Sequence, residues 1–220
     1  MVTLNQQSDL PIVIGISGAS GTVYGLRLLQ FLLENKHRVE LVISESALKV
    51  AQNEINLKLS FEPEIQKEQV LSYLRLSKES SIFLNVNQSD DIAAGISSGS
   101  YKTKGMIVIP ASMGTIGSIA SGISRNLITR ASDVCLKEKR KLVIVPREMP
   151  LSSIHLENML KLSNLGVVIA PACPAFYHGP EQLFDLVDFV VGKVLDLFDF
   201  EHNVFKRWKN ENNRIPLVSK

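Results

Sequence analysis

The sequence is poor in cysteine, in aromatic residues and in net charge. Its 220 residues include two cysteines and one tryptophan, aromatic residues make up 6%, and the formal net charge at pH 7 is +2. Two cysteines with no further Cys or His at ligand spacing exclude a disulfide framework and give no reason to expect a metal site. Because lysines and arginines form no basic run, no nucleic-acid partner is expected.

Long hydrophobic runs are missing as well. No apolar stretch approaches the roughly 20 residues that cross a bilayer, and the first ten residues, MVTLNQQSDL, lack the basic and apolar parts of a signal peptide. We therefore expect no membrane partner and a cytoplasmic location. A hydrophobic content of 45% suffices for one substantial core, so a single domain over residues 1–220, with its core at about 11–208, is predicted.

Short β-branched runs alternate with longer segments of helical spacing. The runs lie at 12–16, 39–43, 106–109, 142–145 and 167–169. They are apolar almost throughout, which is typical of strands buried on both faces of a parallel sheet. The βαβ order predicts an α/β fold with a three-layer, doubly wound, mainly parallel sheet of the Rossmann or flavodoxin-like type. The pattern is least clear at 56–88, where it predicts an amphipathic helix and one more strand.

Glycine and serine follow the first predicted strand in the stretch SGASG, residues 17–21. Gly18 and Gly21 would let backbone N–H groups approach an anion at the carboxyl edge of the sheet, where such folds bind ligands. The helix that follows would point its positive end at the same anion. A dinucleotide site with Glu45 on the ribose hydroxyls is an alternative, although the glycine spacing does not fit its fingerprint. Turn-and-cap roles for Ser17 and Ser20 are another.

Charged residues occupy two further places of interest. On a helix, Arg130 and Lys137 would share an apolar stripe about 10 Å apart, which suits an extended phosphorylated ligand or two separate phosphates. Alternatively, both side chains run along the helix surface with solvated charges, as we expect for residues 138–140. Arg147 and Glu148 directly follow a buried strand, where they form either a structural ion pair or a tuned acid/base group.

Four stretches together resemble the flavin prenyltransferases of the UbiX type. They are GISGASGTVYGLRLL, SSGSYKTKGMIVIPASMGTI, NLITRASDVCLKEKRKLVIVPREMPLSSIHLENMLKLSNLG and PACPAFYHGPEQLFDLVDFVVGKVLD. The resemblance implies a homododecamer that binds FMN at subunit contacts and prenylates it with dimethylallyl phosphate or the diphosphate, without a metal. It further implies a product, prenylated FMN with a fourth ring, that serves a UbiD-type decarboxylase as cofactor.

The resemblance also implies a set of site residues. The FMN-binding positions are Gly18, Ala19, Ser20, Ser44, Ser112, Met113, Gly114, Thr115 and Arg130. The positions around the donor phosphate are Lys137, Arg147, Tyr177 and Lys193, of which Lys137 and Arg147 are expected to be catalytic. Glu148 is the expected acid/base carboxylate, and the substrate pocket is expected to include Ser98, Ser100 and Trp208.

One departure and two competing functions accompany the resemblance. Lys193 stands where arginine is common in the family, and lysine lacks the bidentate fork of arginine, which leaves the choice between phosphate and diphosphate open. A flavin-dependent decarboxylase of the peptidyl-cysteine type is an alternative, although the stretch PxMNxxMW and an N-terminal histidine are missing. The other alternative is a non-catalytic FMN carrier or assembly subunit, which would have no use for a second phosphate site.

Overall fold

The computed structural model describes residues 10–208, so both ends of the domain predicted over residues 1–220 lie outside the described residues. The chain divides into two compact units, one ending at Pro171 and the other beginning at Ala172. The single domain with its core at about 11–208 stays a prediction.

The first unit contains a sheet whose six described strands are all parallel to their neighbours. The strands are β1 (Ile12–Ile16), β2 (Val39–Ile43), β3 (Leu84–Asn87), β4 (Gly105–Ala111), β5 (Leu142–Pro146) and β6 (Val168–Ile169). Their order across the sheet is β3-β2-β1-β4-β5-β6. The predicted doubly wound parallel sheet is confirmed, and its ligand crevice is expected beyond the adjacent ends of β1 and β4.

Helices connect these strands and cover both faces of the sheet. They are α1 (Thr22–Glu34), α2 (Glu45–Ile55), α3 (Pro63–Tyr73), α4 (Met113–Ala120), α5 (Leu127–Lys137) and α6 (Ser153–Asn164). Residues of α4, α5 and α6 share a buried apolar cluster with Val13 of β1. Gly25 of α1 instead approaches Ile16, three positions further along β1. Because strand side chains alternate between faces, α1 lies on the opposite face from α4, α5 and α6.

The strand predictions succeed where the strands are fully buried. Every residue of β1, β2, β4 and β5 is buried, in accordance with sequences that are apolar except for Glu40 of β2. The additional strand predicted within residues 56–88 is β3, which begins at Leu84, directly after a 3-10 helix at Lys78–Phe83. The strand β3 lies at the edge of the sheet with alternating buried and exposed residues. The apolar run is therefore short, and its start could not be located from composition.

Helix α1 packs so closely on the sheet that it requires glycine at position 25. A Cβ atom at Gly25 would clash with the carbonyl oxygen of Ile109 and would lie 2.8 Å from Cδ1 of Ile16. We expect Gly25→Ala to lower the free energy of unfolding by about 1–3 kcal/mol, the usual cost of overpacking, as measured by denaturant titration. In the matched variant Gly117→Ala, the new Cβ meets only Asn158, at 3.4 Å. That variant should be as stable as the unchanged protein or more so, because alanine favours helix.

The second unit contains helix α7 (Leu183–Leu197) and an aromatic cluster. Phe189 of α7 stacks on His178 at 5.2 Å and meets the ring of Tyr177 edge-on at 5.7 Å. Tyr177 also contacts Trp208 edge-on, with ring centroids 5.1 Å apart. Over residues 10–208, no helix has the length and apolar character that a bilayer crossing requires.

Candidate active site

The loops after β1 and β4 are joined through the hydroxyl of Ser17. This side chain, 1% exposed, donates a hydrogen bond to the Pro110 carbonyl at 3.0 Å and accepts one from the Ser112 backbone N–H at 2.8 Å. Ser17 thus has the structural role that the sequence left open. These two bonds hold the turn from Gly18 to Ser20 beside the start of α4. The turn and the helix start follow β1 and β4, the adjacent strands at which the direction of strand order in the sheet changes.

Two of the predicted flavin-binding serines are helix caps. The Ser44 hydroxyl accepts a hydrogen bond from Ala47 N–H at the start of α2, and the Ser112 hydroxyl accepts one from Thr115 N–H at the start of α4. Caps fix the direction of the N–H groups in the first helical turn. A Cβ built at Gly114 would meet no atom within 4 Å, so this turn of α4 faces open space.

Glycine at position 18 is required by the neighbouring loop. A Cβ at Gly18 would clash with the Ser46 hydroxyl and would lie 2.5 Å from the Ser46 Cβ. The turn after β1 is packed closely against the first turn of α2. Only a residue without a side chain fits at position 18. The predicted residues Gly18, Ala19, Ser20 and Ser44 are thereby brought to one edge of the sheet.

The positive end of α1 was expected to face a bound anion, but it contacts a carboxylate of the same chain. The Glu54 carboxylate of α2 accepts hydrogen bonds from the N–H groups of Gly21, at 2.9 Å, and Thr22, at 3.4 Å. An acidic side chain of the same chain thus neutralises the helix end that was expected to face a phosphate. Nothing in the local sequence of the turn indicates Glu54, since the residues are more than 30 positions apart.

Arg147 and Glu148 complete this edge of the sheet. Arg147 Nε donates to the Ser20 carbonyl at 3.0 Å, which joins the loop after β5 to the loop after β1. The guanidinium group has five N–H donors, so this bond leaves it able to bind a phosphate as well. Glu148 is exposed and accepts a hydrogen bond from Met149 N–H at 3.1 Å. The two residues are not joined as the ion pair that the sequence left open; Arg147 binds a backbone carbonyl instead.

A second group of predicted residues lies along α5. Arg130 donates from Nε to the Ser97 carbonyl at 3.1 Å and pairs with Asp133 at 3.1 Å. Lys137 pairs with Glu138 at 3.2 Å, with its side chain 48% exposed. The expected pocket residues Ser98 and Ser100 hydrogen-bond each other at 2.9 Å in the adjoining loop. The loop that carries Ser98 and Ser100 therefore lies against α5. It forms a continuous surface with Arg130 and Lys137.

Arg140 is a residue that the sequence analysis missed. It was assigned to solvent, but it donates to the carbonyl groups of Gly99 and Tyr101 and so anchors the loop that carries Ser98 and Ser100. Glu138 is exposed, as predicted, and pairs at the surface with Lys137. A Cβ at Gly99 would clash with Glu138 and would lie 3.1 Å from Nζ of Lys137. Glycine at this position therefore leaves room for the Glu138 carboxylate, with the Lys137 ammonium group beside it.

The first unit does not bring all the predicted donor-phosphate residues together. Lys137 ends the helix that leads into the start of β5, whereas Arg147 follows the end of β5. The five residues of β5 separate them by about 15 Å, given the usual rise of a strand. Tyr177, Lys193 and Trp208 belong to the second unit. Tyr177 and Trp208 are in direct ring contact there, whereas Lys193 pairs with Asp196 at 3.7 Å.

A buried carboxylate on β2 was also missed. Glu40, 6% exposed, accepts hydrogen bonds from the Tyr101 hydroxyl at 2.6 Å and from the side-chain amides of Asn85, at 2.7 Å, and Asn87, at 2.8 Å. Burial, and next the Glu40 carboxylate, raise the pKa of Tyr101 to about 12. This network ties the edge strand β3 and the loop after Ser100 to β2, the neighbouring strand of the sheet.

Removal of the Tyr101 hydroxyl should be measurable as a loss of stability. We expect Tyr101→Phe to lower the free energy of unfolding by about 1–3 kcal/mol, because Glu40 loses one of its hydrogen-bond donors while it stays buried. Tyr73→Phe, at an exposed position, is the matched control and should unfold like the unchanged protein. Since the pKa of Tyr101 is raised on folding, its contribution is present below about pH 10 and is lost as the pH rises through about 12. Equal stability of both variants would contradict the role assigned to the network.

The two cysteines lie in different environments. Cys135 is buried in α5, and burial raises the pKa of its thiol to about 12, which leaves it in the neutral, unreactive form. Cys173 is exposed in the second unit. Among the residues that the structure describes, no three His, Cys, Asp or Glu side chains are grouped so that they could hold a metal ion.

Comparison with known proteins agrees with this arrangement. The Flavoprotein family model matches residues 2–195. The flavin prenyltransferase UbiX of Halalkalibacterium halodurans is 48% identical over 200 residues, which cover 91% of this chain and 94% of that protein. The chain belongs to the UbiX family of flavin prenyltransferases. It is therefore an enzyme of the prenyltransferase class, as the sequence resemblance predicted.

Solved structures of UbiX-like proteins have a similar fold. A dodecameric FMN-dependent UbiX-like decarboxylase from Escherichia coli O157:H7 is 43% identical, with a TM-score of 0.79 over 91% of this chain and all of that one. The complex of AnUbiX (PadA1) with FMN and dimethylallyl pyrophosphate is 37% identical, with a TM-score of 0.80 over 92% of this chain and 99% of that one.

The residues at the edge of the sheet suit the binding of FMN. A flavin mononucleotide needs donors for its phosphate and an unobstructed surface for its ring system. The capped helix start at Ser112 supplies directed N–H groups, and Gly114 leaves the space beside them open. Arg130 supplies a cation with a guanidinium fork, although it lies along α5 rather than among the strand-end loops.

Proposed function

We propose that the protein transfers the dimethylallyl group of dimethylallyl phosphate to reduced FMN, giving prenylated FMN with a fourth ring and free phosphate. The observation that carries the proposal is the joining of the loops after β1, β4 and β5 through Ser17 and Arg147. These bonds place glycine, capped helix starts, a guanidinium group and a carboxylate at one edge of the sheet. An anionic flavin and an anionic donor both find their partner groups there.

Mostly small and hydroxyl-bearing residues bind the flavin. They are Gly18, Ala19, Ser20, Ser44, Ser112, Met113, Gly114 and Thr115, together with Arg130. Because Glu54 occupies the first N–H groups of α1, the flavin phosphate is bound by the residues of this set rather than by the end of α1. Bound FMN in its reduced form supplies the nucleophile that accepts the prenyl group.

Cationic residues stabilise the leaving phosphate. As the allylic C–O bond breaks, the phosphate takes the electron pair, and Lys137, Arg147 and Lys193 hold the negative charge that develops. Tyr177 adds a hydroxyl donor. Ser98, Ser100 and Trp208 enclose the pocket, since water would otherwise capture the allylic cation. Glu148 accepts the proton that is lost when the new ring closes, either directly or through the freed phosphate.

The site is completed by a second copy of the chain. Support comes from the separation of Lys137 and Arg147 by the length of β5 within one copy, so that a neighbouring copy must present its α5 to the strand ends. A dodecamer satisfies this requirement, and the related Escherichia coli protein is described as dodecameric. The product would then pass to a UbiD-type decarboxylase, and we place the reaction in the cytoplasm.

Anaerobic turnover tests the proposed function. Purified protein is incubated with reduced FMN and either dimethylallyl phosphate or the diphosphate, and the released flavin is analysed by mass spectrometry. A flavin heavier by one prenyl unit supports the proposal, and the preferred donor settles which phosphate is used. Unmodified FMN with both donors would contradict it and would favour the decarboxylase or carrier alternatives, with cysteine-terminated peptides as the next substrates.

A further inference from the structure

Several side chains with nitrogen atoms lie around one carboxylate in the second unit. Asp196 of α7 accepts hydrogen bonds from Arg207 on both oxygens, Nη2 to Oδ1 at 2.7 Å and Nη1 to Oδ2 at 3.1 Å. Lys193 Nζ lies 3.7 Å from Oδ2, and His202 Nε2 lies 3.0 Å from Oδ1. The two cations therefore share the Oδ2 atom, which places their charged nitrogens close together.

The charge and exposure of this group suit an anion. Lys193 and Arg207 carry two positive charges against the single negative charge of Asp196, so the group has a positive excess. The side chains of Lys193 and Arg207 are 56% and 54% exposed, whereas Asp196 is 25% exposed. The carboxylate lies beneath, and both cations remain accessible from solvent. Two of the five N–H donors of arginine suffice for the fork on Asp196, which leaves donors for a second anion.

Arg207 also lies beside the aromatic residues expected at the substrate. Its guanidinium group lies over the ring of Phe205, 5.6 Å from the centroid, and the next residue, Trp208, contacts Tyr177. Hydrogen bonds to Asp196 raise the pKa of Arg207, and the nearby Tyr177 adds a smaller effect in the same direction. Tyr177, Lys193 and Arg207 thus belong to one cluster within the second unit.

We propose that Arg207 binds the phosphate group of the prenyl donor together with Lys193, through the N–H donors that its ion pair with Asp196 does not use. The proposal rests on the proposed prenyl transfer for the identity of the ligand. It explains how a chain with lysine at position 193 still offers a phosphate the planar fork of an arginine. The cation that supplies the fork comes from the segment after α7 rather than from α7 itself.

A purely structural role for Arg207 makes a different prediction, and two substitutions separate the roles. Arg207→Gln and Asp196→Asn both break the same ion pair, but only Arg207→Gln removes a cation. If Arg207 merely fastens the segment after α7, the two variants should behave alike. If Arg207 binds phosphate, Arg207→Gln should weaken phosphate binding, whereas Asp196→Asn, which increases the positive excess, should not.

The test is calorimetric titration of inorganic phosphate into the FMN-bound protein, which does not depend on turnover. We expect the Kd of phosphate to rise about tenfold or more in Arg207→Gln, the usual scale for a charge-assisted contact. It should rise less in Arg207→Lys and should not rise in Asp196→Asn. Lys206→Gln removes the same charge from the adjacent, exposed residue and should leave the Kd unchanged.

Two results would overturn the assignment of Arg207. One is an unchanged phosphate Kd in Arg207→Gln, and the other is an equal rise in Arg207→Gln and Asp196→Asn. Thermal melting and flavin content of each variant verify that the titrated protein is folded, and Arg207→Lys serves if Arg207→Gln is not. Failure of the unchanged protein to prenylate FMN would instead count against the proposed function, because phosphate binding is measured without it.

Discussion

Replacement of Glu148 by glutamine will slow the formation of prenylated FMN by about 10²-fold or more, the usual scale for a general acid/base group, while FMN binding is retained. Glutamine has the shape of glutamate but accepts no proton, so the proton released on ring closure has no acceptor of matched strength. The measurement is a single-turnover time course under anaerobic conditions, with the flavin analysed by mass spectrometry.

The control for Glu148→Gln is the same substitution at an exposed glutamate of α6, Glu157→Gln. That variant should turn over like the unchanged protein. Within the part of the chain that the structure describes, Glu148 accepts one local hydrogen bond, from Met149 N–H, so its substitution should leave the fold intact. Turnover of Glu148→Gln at the normal rate would remove this residue from the mechanism, and loss of flavin would reassign it to flavin binding.

Replacement of Lys137 by alanine will lower kcat/KM for the prenyl donor by about 10²–10³-fold, the range seen when one fixed donor to a developing anion is removed. Lys137 is half exposed, and within residues 10–208 it pairs with the adjacent Glu138, so the charge lies at the surface of α5. Removal of the ammonium group should therefore have no large effect on folding. The measurement is the initial rate of flavin prenylation at varied donor concentration.

The outcome for Lys137→Ala depends on which ligand the residue binds. FMN should remain bound with unchanged affinity, as measured by flavin fluorescence, and Lys161→Ala on α6 should behave like the unchanged protein. Loss of FMN would show that Lys137 binds the flavin phosphate rather than the donor. A normal kcat/KM would show that its side chain remains in solvent, the alternative that the sequence left open.

Much of the fold could be predicted because the signals are local. Runs that are apolar almost throughout marked β1, β2, β4 and β5, since strands buried on both faces have few polar positions. The edge strand β3 was located only in part, because its exposed face breaks the run. Strand ends with small and polar residues then indicated the crevice, since the carboxyl ends of parallel strands meet at one edge of the sheet.

The sequence by itself thus determined the α/β class, the parallel sheet and the family, through motifs of contiguous residues. Only the tertiary structure decided which side chains fasten these motifs together. Glu54 reaches the start of α1 across 33 positions, Arg140 holds Gly99 across 41, and Tyr101 reaches Glu40 across 61. Periodicity and turn chemistry report on neighbours within a few residues, whereas a hydrogen bond between distant positions forms only after the chain has folded.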